Sequence, residues 1–226
     1  MIPAVFNWSG GKDSSLALYR VLRDRSFQIK YLLTTVSEET NRVVMHGVPM
    51  PLIRAQAQAI GIPLIEVLLP ASPDNSAYEK AMSTTLQELR QQGIETAIYG
   101  DIFLEDLRQY RENKLKELPF RAEFPLWGED TRKLMGEFLA LGFKSRIVCT
   151  NEDLLSAHHC GAVISQDWID GLPANVDPCG ENGEYHSFVF DGPLFKHAVA
   201  HRLGTQVLKQ YNGHPSSTFR FQEILA

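Results

Sequence analysis

The run Ser9-Gly10-Gly11-Lys12-Asp13-Ser14 lies between a short apolar segment, residues 4–8, and an amphipathic stretch opening at residue 14. A strand that ends in paired glycines and restarts as a helix has to turn tightly, and glycine permits the turn. The same turn gathers backbone N–H groups at a helix N-terminus, where unpaired amides and the positive end of the helix dipole receive anions. Lys12 adds a full charge, while Asp13 and Ser14 stand where they can cap the helix or help hold a magnesium ion that bridges phosphates. The spacing is neither G-x-x-x-x-G-K-[ST] nor G-x-G-x-x-G. A bare Gly-Gly pair reads more simply as a turn before a capped helix. This longer run, after a first strand, reads as a phosphate loop.

Around the loop, the first half alternates short apolar runs with amphipathic segments, the pattern of βα units and a parallel sheet. Strands are expected at residues 4–8, 31–36, 64–69, 96–99 and 123–127, with Pro125 putting the last at an edge or a ladder's end. A helix is expected from residue 14 to about 25, with Leu16, Leu18, Tyr19 and Leu22 facing inward. Another opens at Pro49 and Pro51 and stops at Gly61, after a polar loop over 37–47. Further helices are expected from Asp74 to Gln92, closed by Gly93, and from about 104 to 117. The second half predicts a helix at 130–141 and a strand at 146–149. A loop dense in Gly, Pro, Asn and Asp follows at 171–184, then an alternating run at 185–190 and a β-leaning tail over 196–221. Long loops of this kind in compact domains usually carry function.

With 226 residues the chain suits one large domain, or one with a smaller appendage, and folding should bury about 70% of its surface. A net charge of −5 argues against a broad nucleic-acid footprint. Cys149, Cys160 and Cys179 form no C-x-x-C pair or disulfide framework, so a reducing cytoplasm is expected. The opening Met1-Ile2-Pro3-Ala4-Val5-Phe6 has no signal-peptide pattern, and no stretch is apolar for long enough to span a bilayer.

The 9–14 run resembles the pyrophosphatase loop of the adenine-nucleotide α-hydrolase-like superfamily. That resemblance implies a Rossmann-like parallel five-stranded sheet with helices on both faces, ATP at the carboxyl ends of the strands, and cleavage between the α and β phosphates. A second signature narrows it. Cys179-Gly180-Glu181-Asn182-Gly183-Glu184-Tyr185-His186, with Phe190-Asp191-Gly192-Pro193-Leu194-Phe195, Gly100-Asp101-Ile102, Arg111-Glu112 and Pro125-Leu126-Trp127, is similar to the diphthine–ammonia ligase family. Asn182 and His186 stand where a glycine and a glutamate are expected in the eukaryotic members, which marks a divergent subgroup.

The family resemblance implies a ligase that adenylates a carboxylate with ATP and Mg2+ and lets ammonia displace AMP. It implies a nucleotide site of Ser9, Gly10, Gly11, Lys12, Asp13, Ser14, Gly100 and Asp101, with Asp13 toward the metal. It also implies catalytic roles for Lys12, Glu181, Glu184 and His186, and substrate contacts from Asn182, Gly183 and Tyr185. Residues 1–128 then form the ATP-binding domain and 129–226 a smaller substrate domain. The partners implied are ammonium and a carboxylate on a small molecule or a protein; a homo-oligomer is left open.

Two other functions share the loop: base activation in RNA modification, and nucleotide binding without catalysis. RNA-modifying relatives commonly use cysteine pairs or a basic surface, and this chain has neither. The spacing of His158, His159 and Cys160 with Cys149 and Cys179 matches no closed zinc site, so they read as loop and core residues. His46 next to Gly47 reads as a turn residue that could close over adenine. Arg108 and Arg111 read as a solvated helix face rather than a phosphate grip. Asp101 is open to a second reading as a helix N-cap. Phe188, Phe190 and Phe195 read as core, and Glu38-Glu39 as solvated.

Overall fold

The computed structural model describes residues 1–44, 46–70, 75–211 and 217–226, the side chains of Asn75 and Tyr211 apart. The expected helix start at Asp74, Met45 of the expected 37–47 loop and residues 212–216 of the expected β tail lie outside the described residues. The chain runs β1 (Ile2–Asn7), α1 (Lys12–Asp24), β2 (Phe27–Ser37), β3 (Arg42–Val43), α2 (Met50–Ile60), β4 (Leu64–Leu69) and α3 (Asn75–Gln91). It continues with β5 (Thr96–Ile98), α4 (Glu105–Lys116), β6 (Arg121–Glu123), α5 (Thr131–Ala140), β7 (Lys144–Asn151) and α6 (Gln166–Asp170). Last come β8 (Tyr185–Asp191), β9 (Arg202–Tyr211) and β10 (Ser217–Leu225).

Five strands form the parallel sheet expected, in the order β4-β2-β1-β5-β6. β1 has β2 on one side and β5 on the other, so the chain reverses its direction of winding between β1 and β5. Ligands of open α/β sheets settle outside the carboxyl ends of the strands at such a point. The alternation of side chains along a strand sends Ala4 and Phe6 to one face and Val5 to the other. On the first face they join Leu16, Leu18 and Val21 of α1, Leu52 and Ile53 of α2, and Leu134 and Phe138 of α5. On the second, Val5 joins Met82, Leu86 and Leu89 of α3 and Leu115 of α4.

The second half forms an antiparallel sheet, β8-β7-β10-β9. Phe188, Val189 and Ile224 of this sheet share the buried cluster of α1 and α5, so the two sheets close on one core. Arg20 of α1 fastens the arrangement with ion pairs to Glu129 and to Glu137 of α5.

Several expectations change. Leu22 is 37% exposed, and Ala17 and Val21 take inward positions beside Leu16 and Leu18, because α1 is covered by α5 and by β8 of the second sheet. The fifth strand is Arg121–Glu123 rather than 123–127; it ends before Pro125 because proline has no N–H to continue the ladder. It does lie at the sheet's edge. The polar loop after β2 contains β3, which pairs antiparallel with Val36 and Ser37.

Phe138 is 1% exposed and stacks on Phe143 with ring centroids 4.9 Å apart. Truncation there leaves a cavity between helix and sheet. Phe138→Ala should lower unfolding free energy by about 3–5 kcal/mol, read as a drop in the urea midpoint at unchanged m-value.

Candidate active site

The 9–14 loop follows the carboxyl end of β1 and delivers the chain into α1. Gly10 has φ +78°, and a Cβ there would lie 2.6 Å from Gln56 Oε1 and 2.7 Å from Ile53 Cδ1. Only glycine fits without displacing the neighbours. The N-cap of α1 is Gly11, which has no side-chain cap, so Asp13 and Ser14 do not serve as the caps that the sequence allowed. Ser14 and Ser15 instead donate their hydroxyls back to the Gly11 carbonyl, at 3.0 and 2.8 Å. Ser9 Oγ accepts from the Gly11 amide at 3.2 Å and donates to Ser14 Oγ at 3.0 Å. In the first turn of α1 the amides of Asp13 and Ser14 have no acceptor four residues back within the helix.

Gly100 follows β5 across the switch point. A Cβ on it would lie 3.0 Å from the Ser14 nitrogen, so a side chain would push the end of β5 away from the first turn of α1. Beside it, Asp101 is paired with Arg111, Nε to Oδ2 at 2.8 Å, and the Arg111 guanidinium lies 4.3 Å from the Tyr99 ring centre. The alternative role of Asp101 as a helix N-cap is excluded, because Leu104 occupies that position for α4. Arg111 also departs from the expected solvated face: its side chain is 24% exposed and held by Asp101 and Tyr99. Arg108 pairs with Glu112 and covers the Trp127 ring at 4.6 Å.

Lys12 points inward. Its Nζ donates to Asp13 Oδ2 at 2.7 Å and to the Cys179 carbonyl, and lies 4.8 Å from the centre of the Tyr185 ring. Burial lowers the affinity of this ammonium for its proton, but Asp13 and its other neighbours outweigh that and keep it charged. The Lys12 amide donates to Ser187 Oγ at 3.2 Å.

The 171–184 loop brings Glu181 to the same end of the sheet, where its Oε1 accepts from the Ile102 amide at 2.7 Å. Burial pushes the Glu181 carboxyl up to about 7, with Asp13 and Asp101 adding to the effect and Ile102 and Lys12 opposing it. Asp177 shapes the loop, its Oδ2 accepting from the amides of Cys179 and Glu181 at 3.0 and 3.1 Å.

Glu184 is 2% exposed and turned into its own loop, where Oε1 accepts from the Asp177 amide and from Asn182 Nδ2. Asn182 is exposed, and Gly183 has φ +87°. Tyr185 is buried under Lys12, with its hydroxyl donating to the Pro178 carbonyl.

His186 lies in β8, within the alternating run expected at 185–190, with its ring 4.5 Å from that of His46 and nearly perpendicular to it. Burial, then Lys12, lowers its affinity for a proton to a value of about 4. His46 is lowered as well, by burial first and then by His186 and Lys12. Both rings are therefore neutral near pH 7.

The structure thus gathers Lys12, Asp13, Asp101 and Glu181 at the loop, leaves Glu184 as an internal support, and puts His186 against His46. Gln56, Ser187 and Asp177 also shape the site and were not singled out from the sequence. Gln56 had a readable signal: it is a polar residue at inward helical spacing from Leu52 and Ile53. Ser187 and Asp177 had none.

A magnesium nucleotide fits these groups. The loop offers amides, with the buried Lys12 adding its charge from beneath rather than as a free donor, and Asp13, 28% exposed, is the carboxylate within reach of a phosphate-bound ion. Among the described residues no group of three or more His, Cys, Asp or Glu side chains is arranged to hold a metal by itself. The rings of His158 and His159 lie against each other, tilted by 33°, and Cys160 donates to the Arg220 carbonyl. Among the described residues no helix is long and apolar enough to cross a membrane.

A winding reversal at a glycine loop, closed by helices on both faces, defines a Rossmann-like α/β protein. The chain belongs to the diphthamide synthase family: residues 2–122 match that family's N-terminal domain and residues 130–214 its C-terminal domain. The diphthine–ammonia ligase of Saccharomyces cerevisiae is 24% identical over 224 residues, covering 84% of this chain and 33% of that protein. The Schizosaccharomyces pombe protein of the same name is 28% identical over 110 residues, covering 47% of this chain and 18% of its own length. The chain therefore spans a third or less of the length of these relatives.

The raised Glu181 carboxyl makes stability depend on pH. Its proton is held more tightly in the folded chain than in the unfolded one, so stability is lost as pH rises from 4.5 through about 7. Glu181→Gln removes that loss. Its stability relative to the parent should be flat below pH 4.5, rise to about pH 7 and be constant above, in urea unfolding repeated across pH.

Proposed function

We propose that this chain is an ATP-dependent ligase that adenylates a carboxylate and passes the acyl group to ammonia, releasing AMP, pyrophosphate and an amide. One observation carries the reading: the amides of the 9–14 loop and the Glu181 carboxyl converge on the same end of the parallel sheet, at the winding reversal. Family membership and the names of the yeast relatives support it.

ATP supplies the adenylyl group that turns a carboxylate into a good electrophile. The chain's own residues do the rest. The α1 amides and helix dipole hold charge on the phosphates as it builds, donors already fixed in place before reaction. Asp13 would hold Mg2+ together with phosphate oxygens. Gly100 keeps the β5 end close to α1, and Asp101 is steadied beside it by Arg111.

Glu181 is the general base that takes a proton from the attacking ammonia. A carboxyl with an affinity near 7 suits that transfer at neutral pH. Glu184, Asn182, Gly183 and Asp177 keep the Glu181 loop in shape. Neutral His186 and Tyr185 line its base, the Tyr185 ring beneath Lys12.

In this reading residues 1–128 form the nucleotide half and 129–226 the acceptor half, and the enzyme works in the cytoplasm on free ammonium. The acceptor is a carboxylate of the diphthine class named for the relatives.

The test is to supply ATP, Mg2+, ammonium and diphthine-bearing protein and to identify the nucleotide product. AMP and pyrophosphate in step with amide are expected; ADP and phosphate would reject adenylation. Glu181→Gln should slow amide formation about a hundredfold or more. Acceptor-dependent exchange of pyrophosphate into ATP, which needs no ammonia, should persist in that variant.

A further inference from the structure

Gln56 is fully buried in α2, and every hydrogen-bonding group of its amide points at the phosphate loop or its supports. Its Nε2 donates to the Gly10 carbonyl at 3.0 Å and to the Val189 carbonyl of β8 at 2.6 Å. Its Oε1 accepts from Trp8 Nε1 at 3.0 Å. The indole N–H therefore fixes which end of the amide faces the loop: a reversed amide would set Oε1 against two carbonyls. The Val189 amide also donates to the Gly10 carbonyl, at 2.9 Å.

We propose that Gln56 is the positioning residue of the nucleotide loop, acting on the peptide that joins Gly10 to Gly11. A trans peptide points its C=O and N–H in opposite directions. Holding the Gly10 oxygen inward turns the Gly11 N–H outward, to the side where it meets Ser9 Oγ and where Ser9 and Ser14 meet each other. Glycine on both sides of this peptide makes it easy to flip. A flipped peptide would aim a carbonyl dipole at the bound anion and withdraw a donor. Gln56 stops the flip, and because it also holds Val189, it ties the loop's anion-binding state to β8, the strand that follows the Glu181 loop.

This inference rests on the nucleotide reading above, and one experiment separates the two. Titration calorimetry of the full chain is run with Mg-ATP, Mg-pyrophosphate and adenosine, for the parent and for Gln56→Leu, well below each protein's unfolding temperature. Loss of loop positioning should weaken ATP and pyrophosphate about tenfold or more, the effect of a lost buried donor pair, and leave adenosine within about twofold.

Gln56→Glu gives a second reading should the leucine variant not fold. A protonated acid can donate to one carbonyl and an ionised one to neither. Its pyrophosphate affinity relative to the parent should therefore fall as pH is raised from about 6 to about 8.5. Folded variants that bind pyrophosphate as the parent does, or that lose adenosine in parallel, overturn the role of Gln56. A parent chain that binds neither ATP nor pyrophosphate overturns the nucleotide reading and this inference together.

Discussion

The loop between β1 and α1 is held from the side by a strand of the other sheet. Val189 donates to the Gly10 carbonyl, Ser187 Oγ accepts from the Lys12 amide, and a Cβ on Gly11 would lie 3.1 Å from the Ser187 carbonyl. β8 thus follows the loop residue by residue, and the glycines are what allow it so close. The buried cluster shared by α1, α5 and β8 keeps the two sheets from separating. A loop meant for anions would otherwise be free to sample conformations in which its carbonyls face outward.

This contact also explains the site's electrostatics. Bringing the second sheet down on the loop buries Lys12 against Tyr185 and Cys179, with Asp13 as its counter-charge. It brings Glu181 to the Ile102 amide, near Asp13 and Asp101, where desolvation and like charges raise its affinity for a proton. It sets His186 beside His46 and within the field of Lys12, where both imidazoles stay neutral. Each of these environments needs residues from both halves of the chain. Neither half has the site alone.

The parallel sheet, the glycine loop and the Pro-start, Gly-stop helix ending at Gly61 could be read from the sequence because local rules govern them. Period-two alternation, glycine conformations and helix-end chemistry act over a few residues. The family was legible from two motifs far apart in the chain, and the match over both domains bears it out. Pro125 left two readings open, an edge strand or a ladder's end, and the strand beside it both lies at the edge and stops before the proline.

What only the tertiary structure decided depends on partners distant in sequence. Leu22 fits an inward stripe yet faces solvent, because the cover over α1 comes from the second sheet and α5. Arg111 fits a solvated face yet is drawn under by Asp101, ten residues earlier, and by Tyr99. Gln56 looks like an exception in an apolar helix until the carbonyls of Gly10 and Val189 are brought to it, 46 and 133 residues away. Local sequence fixes which backbone shapes and faces are available. Which buried polar group finds which partner depends on chain closure over long separations, and that closure follows from how the two sheets pack.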